Sequence, residues 1–198
     1  MKKVQFGSGL NIIPGWENTD FPAVDITKTL PYESNTIDRI FHEHVLEHID
    51  EVDGFRFLKE CFRVLKPAGI MRISIPSIDG FIHVYQNWDK MNSELKEKYR
   101  NRTHYINHVT YGEAVGYSGK MFDRNFNVKS YKNGPQWHRF LYDKGDIKDK
   151  LLKIGFKNIT FVDKYHSNDP YLKGLDRRYG GQFSFRPIET DINLEALK

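Results

Sequence analysis

Between Thr36 and Asp79 the chain reads TIDRIFHEHVLEHIDEVDGFRFLKECFRVLKPAGIMRISIPSID, and this stretch leaves few folds open. Ile37 to Phe41 is a short apolar run that stops abruptly at His42, Glu43 and His44. Phe55, Leu58, Phe62 and Leu65 then follow at three- and four-residue spacings, one face of an amphipathic helix. Lys66-Pro67-Ala68-Gly69 ends that helix, because proline cannot continue it and glycine permits a sharp exit. Ile70 to Ile75 is a second apolar run, closed by Pro76. Two strands joined by a helix over so short a span predict a βαβ unit with parallel strands. In open α/β sheets ligands collect at the carboxyl ends of the strands. Here those ends carry His42-Glu43-His44 and Ser77-Ile78-Asp79.

The segments on either side extend the pattern. Val4-Gln5-Phe6 predicts a first strand, and Gly7-Ser8-Gly9 follows it at once. A glycine-rich turn there lets backbone N–H groups approach a ligand without a Cβ in the way. Pro14-Gly15 reads as a turn, which leaves no room for a full helix before a second strand from Trp16 to Phe21 with Asp20 near its end. Pro22 to Ile26 predicts a very short third strand ending at Asp25. Towards the other end, Asp146 to Ile154 predicts a helix capped by Gly155, and FKNITFVDKY and INLEALK predict two further strands. Residues 80–137 hold scattered aromatics, a charged helix candidate from Ser93 to Arg102, and little other periodicity. A segment of that kind after a strand end reads as a substrate cap. Tyr165 to Arg186, polar and aromatic, reads as an addition to the substrate rim, with Arg177 and Arg178 able to pair an anion.

LPYESNTIDRI, HVLEHI and ECFRVLKPAGIMRISIP resemble the central part of class I S-adenosylmethionine-dependent methyltransferases. They are most similar to the short type-11-like members associated with polysaccharide biosynthesis. The resemblance implies a Rossmann-like α/β sheet, mostly parallel with an antiparallel last strand. The N-terminal half is abbreviated, because both of its helices are missing. One domain would span residues 1–198, with 80–137 as the inserted cap. The resemblance further implies S-adenosyl-L-methionine as cofactor. Phe6, Gly7, Ser8, Gly9 and Asn11 of the first turn would cradle its methionyl part. Asp20 would accept from the ribose, Asp25 and the Ile26 N–H would meet the adenine, and Glu43 and His44 would border the cofactor. The family's acidic residue before the glycines is absent, with Gln5 nearby.

If the acceptor is a small-molecule hydroxyl such as that of a sugar, a base near the transferred methyl helps remove its proton, and histidine suits neutral pH. His44 is the first candidate, with His108 and His138 in or beside the cap. A second reading is a non-catalytic Rossmann-like binding module. A third arises from His44-Val45-Leu46-Glu47-His48, which matches H-x-x-E-H, the inverted zinc-peptidase signature. That motif would make a zinc-dependent hydrolase if His44 and His48 stood one helical turn apart. No third ligand stands out downstream, so the sequence predicts no bound metal, with Glu47 and His48 as structural polar groups at a helix start.

Composition excludes little else. The net charge of +4 is spread over 30 basic and 26 acidic residues, which reads as a mixed solvated surface rather than a nucleic-acid footprint. Cys61, the single cysteine, rules out an internal disulfide and fits a cytoplasmic location. No apolar run approaches a membrane span. Expected partners are therefore a small-molecule substrate and a second copy in a homodimer, with no nucleic acid and no membrane.

Overall fold

The computed structural model describes residues 1–112, 120–122, 128–130, 138–176 and 190–198. The strands are β1 (Lys3–Phe6), β2 (Glu17–Thr19), β3 (Ile37–Glu43) and β4 (Leu65–Pro76), then β5 (Lys120–Phe122) and β6 (Val128–Ser130), then β7 (Lys157–Phe161) and β8 (Asp191–Leu197). The helices are α1 (Glu51–Val64), α2 (Ile78–Gln86), α3 (Ser93–Lys98), α4 (Arg102–Asn107) and α5 (Lys144–Ile154). Among the described residues, six strands form one sheet in the order β2-β1-β3-β4-β8-β7. The first four are mutually parallel, and β8 runs against both β4 and β7. The expected mostly parallel sheet with a reversed last strand is therefore present. β5 and β6 pair separately as an antiparallel ribbon.

The unit around RVLKPAG forms as its spacing dictates. The Asp50 side chain accepts from the Asp53 N–H and caps α1, which buries Phe57, Leu58, Cys61 and Val64. The helix runs straight into β4, whose first partner is Ile37 of β3 before the register shifts. The sharp exit differs from the sequence reading. Ala68, not Gly69, takes the left-handed backbone, at φ 64°. Gly69 is needed for room instead, since a Cβ there would come within 2.9 Å of the Lys66 carbonyl oxygen. Pro22 to Ile26 is a pair of turns rather than a third strand. The Val24 N–H donates to the Asp20 carbonyl and the Lys28 N–H to that of Asp25. Asp25 folds its own carboxylate onto Thr27, the local bonding by which aspartate prefers a turn to a strand.

Side chains alternate across β1 and β3, so the sheet has two distinct faces. One carries Val4, Phe6, Ile40, Met71 and Ile73 against α1 and α5 in the main core. The other carries Phe41 against Ile13, Leu172 and Leu175. No helix covers this second face among the described residues. The segments around Ile13 and from Lys164 to Asp176 lie over it instead. Arg39 binds Asp169 at 2.6 Å, and the fully buried Arg72 is held by Asp176 and by Glu195 at 2.8 Å. This corrects the reading of residues 165–186 as substrate rim for the part up to Asp176. Arg177 and Arg178 lie outside the described residues.

The cap region is helical up to Gly112 and has its own core of Phe81, Val84, Leu95, Tyr99, Tyr105 and Val109. The helix expected from Ser93 to Arg102 is two helices, because the Asn101 side chain accepts from the His104 N–H and starts α4 afresh. No helix among the described residues is long and apolar enough to cross a membrane.

Candidate functional site

The chain passes from β1 outward to β2, then back across β1 to β3. The carboxyl ends of β1 and β3 therefore flank the point where strand order reverses, where doubly wound sheets bind ligands. The glycine turn sits there. Gly7 and Gly9 take positive φ, 66° and 50°. At Gly7 a Cβ would stand 2.2 Å from Val45 Cγ2, so the turn lies directly against the lip that follows β3. At Gly9 a Cβ would meet nothing within 4 Å, so the backbone there faces open space. Asp20 closes the turn from the end of β2, accepting from the Gly9 N–H with one oxygen and from the Phe21 N–H with the other. The Ser8 N–H is spent on the Thr19 carbonyl. The Asn11 amide nitrogen is buried and has no hydrogen-bond partner among the described residues. These features fit a cofactor with polar and ribose groups: an unobstructed backbone, an unspent amide donor and an exposed carboxylate with lone pairs remaining.

Two of the cofactor-facing expectations change character. Phe6 is fully buried, with its ring edge-on to Phe57 at 5.4 Å and Tyr32 at 6.1 Å, so its side chain belongs to the core and only its backbone can border a ligand. Asp25 stands in a turn rather than at a strand end, with Oδ1 committed to the Thr27 N–H and hydroxyl. Those bonds hold its carboxyl below the usual range, and both of them use Oδ1. The Ile26 side chain packs against the main core.

The lip after β3 is a buried polar cluster. His42 is fully buried against Phe57, and burial pushes its pKa down to about 4, so the ring is neutral. Glu43 is nearly buried at the end of β3. His44 takes a left-handed backbone, φ 53°. Its Nδ1 meets Glu47 Oε1 at 2.9 Å and its Nε2 meets Asp191 Oδ2 at 3.4 Å. Burial alone would lower the His44 pKa, but the two carboxylates raise it to about 9. With both ring nitrogens against buried carboxylates, His44 is poorly placed to act as the general base expected of it. Glu47 is fully buried. Burial would raise its carboxyl, but His44, with His48 and His138 close by, holds it down to about 2.

The inverted zinc-peptidase arrangement is also corrected. Leu46–His48 is a single 3₁₀ turn, not the α-helix that would align His44 with His48, and both His44 ring nitrogens already face carboxylates. Of the other two histidine candidates, the structure brings one to the lip. The Arg139 N–H donates to the Glu47 carbonyl at 2.6 Å, which sets His138 beside His48 with ring centroids 5.4 Å apart. His138 also stacks on Phe81 of the cap, 6.5 Å away and 8° from parallel. His108 instead packs its ring on Tyr99, 5.2 Å away, in the cap core. Sequence reasoning missed Asp191. The first residue of β8 carried no motif, and only the antiparallel register that pairs it with Pro76 brings it to the lip.

Residues 11–73 match the family model described as Methyltransferase domain. The matched segment starts just past the glycine turn and ends within β4. Over 61 residues the chain is 36% identical to a probable S-adenosylmethionine-dependent methyltransferase of Mycolicibacterium smegmatis, a stretch that is 29% of this chain and 23% of that protein. Among solved structures, the CurJ carbon methyltransferase is similar over the whole chain, with a TM-score of 0.52 and 13% identity, and 48% of that chain is covered. A Bordetella parapertussis protein described as a possible exported protein has the same TM-score at 10% identity, with 61% of that chain covered. The chain therefore carries a Rossmann-like sheet of the kind found in the CurJ carbon methyltransferase, with a methyltransferase-domain match over residues 11–73.

Proposed function

We propose that this chain is an S-adenosylmethionine-dependent methyltransferase that acts on a small molecule, with a sugar hydroxyl as acceptor. The observation that carries the reading is the glycine turn, bent by two positive φ angles and open over Gly9, at the strand-order reversal of a methyltransferase-type sheet. Gly9 and Asn11 would hold the amino-acid part of the cofactor, Asp20 the ribose, and Asp25 with Ile26 the adenine. When bound, S-adenosylmethionine supplies an electrophilic methyl group, so the chain has only to bind, orient and exclude water. The helical cap after β4 is suited to the last task, since its core packs down to the lip through the stack of Phe81 on His138. With both His44 ring nitrogens against carboxylates, His138 is the sequence-named histidine that stands at the lip beside the cap. The sugar acceptor rests on the resemblance to methyltransferases associated with polysaccharide biosynthesis, a cytoplasmic location rests on the single cysteine, and a homodimer is part of the same proposal.

Calorimetric titration with S-adenosylhomocysteine tests the reading. We expect one equivalent to bind, and Gly9→Val to weaken it at least about tenfold by filling the open space. A folded protein that binds neither S-adenosylmethionine nor S-adenosylhomocysteine would return the chain to the binding-module class.

A further inference from the structure

We infer that Glu47, His48 and His138 form a binding site for a divalent first-row transition metal of the zinc type. One ligand atom from each of the three lies within 4.8 Å of the other two. Zinc–ligand bonds of about 2.0–2.2 Å place tetrahedral ligand atoms roughly 3.5 Å apart, so the side chains need to close by only about an ångström. The carboxylate and the His48 ring are already neighbours, with Glu47 Oε1, the oxygen that also meets His44, 3.8 Å from His48 Nε2.

A second observation points the same way. Glu47 is fully buried, yet its Oε2 has no hydrogen-bond partner among the described residues. A buried carboxylate oxygen left without a partner costs stability unless something positive meets it. Its other oxygen is fixed by His44, which Asp191 holds in turn. An outer carboxylate–histidine chain of that kind orients a ligating carboxylate. The third ligand is fixed by backbone: the Arg139 N–H bond to the Glu47 carbonyl and the ring stack on Phe81 hold His138 in place.

The donor set decides the ion. Two imidazoles and one carboxylate suit zinc and its first-row neighbours, whereas calcium and magnesium require a shell of oxygens. Three protein ligands leave a fourth position, and the His48 side chain, 20% exposed, marks the side from which water or a substrate oxygen reaches it. The lip is the one that Gly7 touches through Val45, so an oxygen bound there would stand at the mouth of the glycine turn. That last placement rests on the methyltransferase reading; the metal site does not.

Chelator-treated protein is titrated with Zn²⁺ by calorimetry and with Co²⁺ by visible absorption. One equivalent of zinc is expected, with the intense d–d bands of a low-coordinate cobalt site. His48→Gln and His138→Gln should each weaken zinc binding by at least about 100-fold, the upper range for losing even an outer-shell partner. His83→Ala, which removes an exposed cap histidine, should leave it unchanged. Pale, water-like cobalt spectra, or variants that bind zinc as tightly as the parent, overturn the site without needing any variant to be inactive. Titration of the same preparation with S-adenosylhomocysteine keeps the two proposals apart. Zinc binding without S-adenosylhomocysteine sinks only the methyltransferase reading, and the reverse sinks only the metal site.

Discussion

Gly7 and Gly9 look alike in the sequence and differ in what they must avoid. At Gly7 both the backbone angle and Val45 oppose a side chain, whereas at Gly9 only the angle does. Gly7→Ala should therefore cost about 2–3 kcal/mol, from overpacking added to left-handed strain, and Val45→Ala in the same chain should restore part of it. Gly9→Ala should cost only about 1 kcal/mol. Urea denaturation of the three variants and the parent measures both, and equal costs at the two glycines would refute the assignment. Asp25 is read by ligand affinity instead. If its free oxygen meets an adenine amino group, Asp25→Ala should weaken S-adenosylhomocysteine about ten- to hundredfold, the range for a hydrogen bond to a charged group. Unchanged affinity in calorimetry would move the adenine elsewhere. The glycine turn was legible because glycine carries its backbone demand in its own chemistry, whereas Asp25 was read at a strand end and stands in a turn. The surroundings of His44 were not legible, because Asp191 is a neighbour supplied only by the fold.

Among the elements, α1 was legible as a helix, but its buried face was misjudged: Phe57, Cys61 and Val64 join Leu58 in the core, whereas Phe55 and Phe62 are only partly buried. Its anchoring to the chain before β3 was not legible. Glu60 accepts from the Leu30 N–H, and with Arg63, which donates to the Leu30 and Tyr32 carbonyls, it replaces the helix that the sequence lacks. Arg63 holds the Glu60 carboxyl below its ordinary value. Its contribution is therefore complete above the unfolded carboxylate pKa and is lost as pH falls through the lowered folded value. Glu60→Gln should cost about 1 kcal/mol at neutral pH, and the gap from the parent should close in acid. Thermal melts over a pH series check this, and a gap that widens in acid would contradict it. The short third strand failed as an expectation for a local reason: Asp25 offered its neighbours a better bond than a sheet edge could.

At the scale of the whole molecule, the strands of the sheet were readable because apolar runs and their turns encode them, while the reversed last strand followed from the resemblance to a known family. The cover of the second face was not readable, because no periodicity marks a polar loop that folds flat on a sheet. Its strongest tie is Arg72 to Asp176, both fully buried. Asp176→Ala should leave a guanidinium half-compensated and cost about 3–5 kcal/mol. In a domain of this size that lowers the melting temperature by roughly 10 °C, and calorimetry should show the loss to be nearly insensitive to added salt. A shift of a degree or two would mean that the loop is dispensable.

That cover also sets an order of events during synthesis. Arg72 waits for a partner 104 residues later, and Arg39 for one 130 residues later. Until the ribosome has delivered both, the nascent sheet keeps one flank wet, with Phe41 bare and a cation stranded between strands. Contacts of such long sequence separation are slow to form and leave incomplete chains prone to stick together. The cover therefore postpones the closing of this face until the segment from Lys164 to Asp176 has been made, and a chaperone that shields one flat face would have the most to do before then.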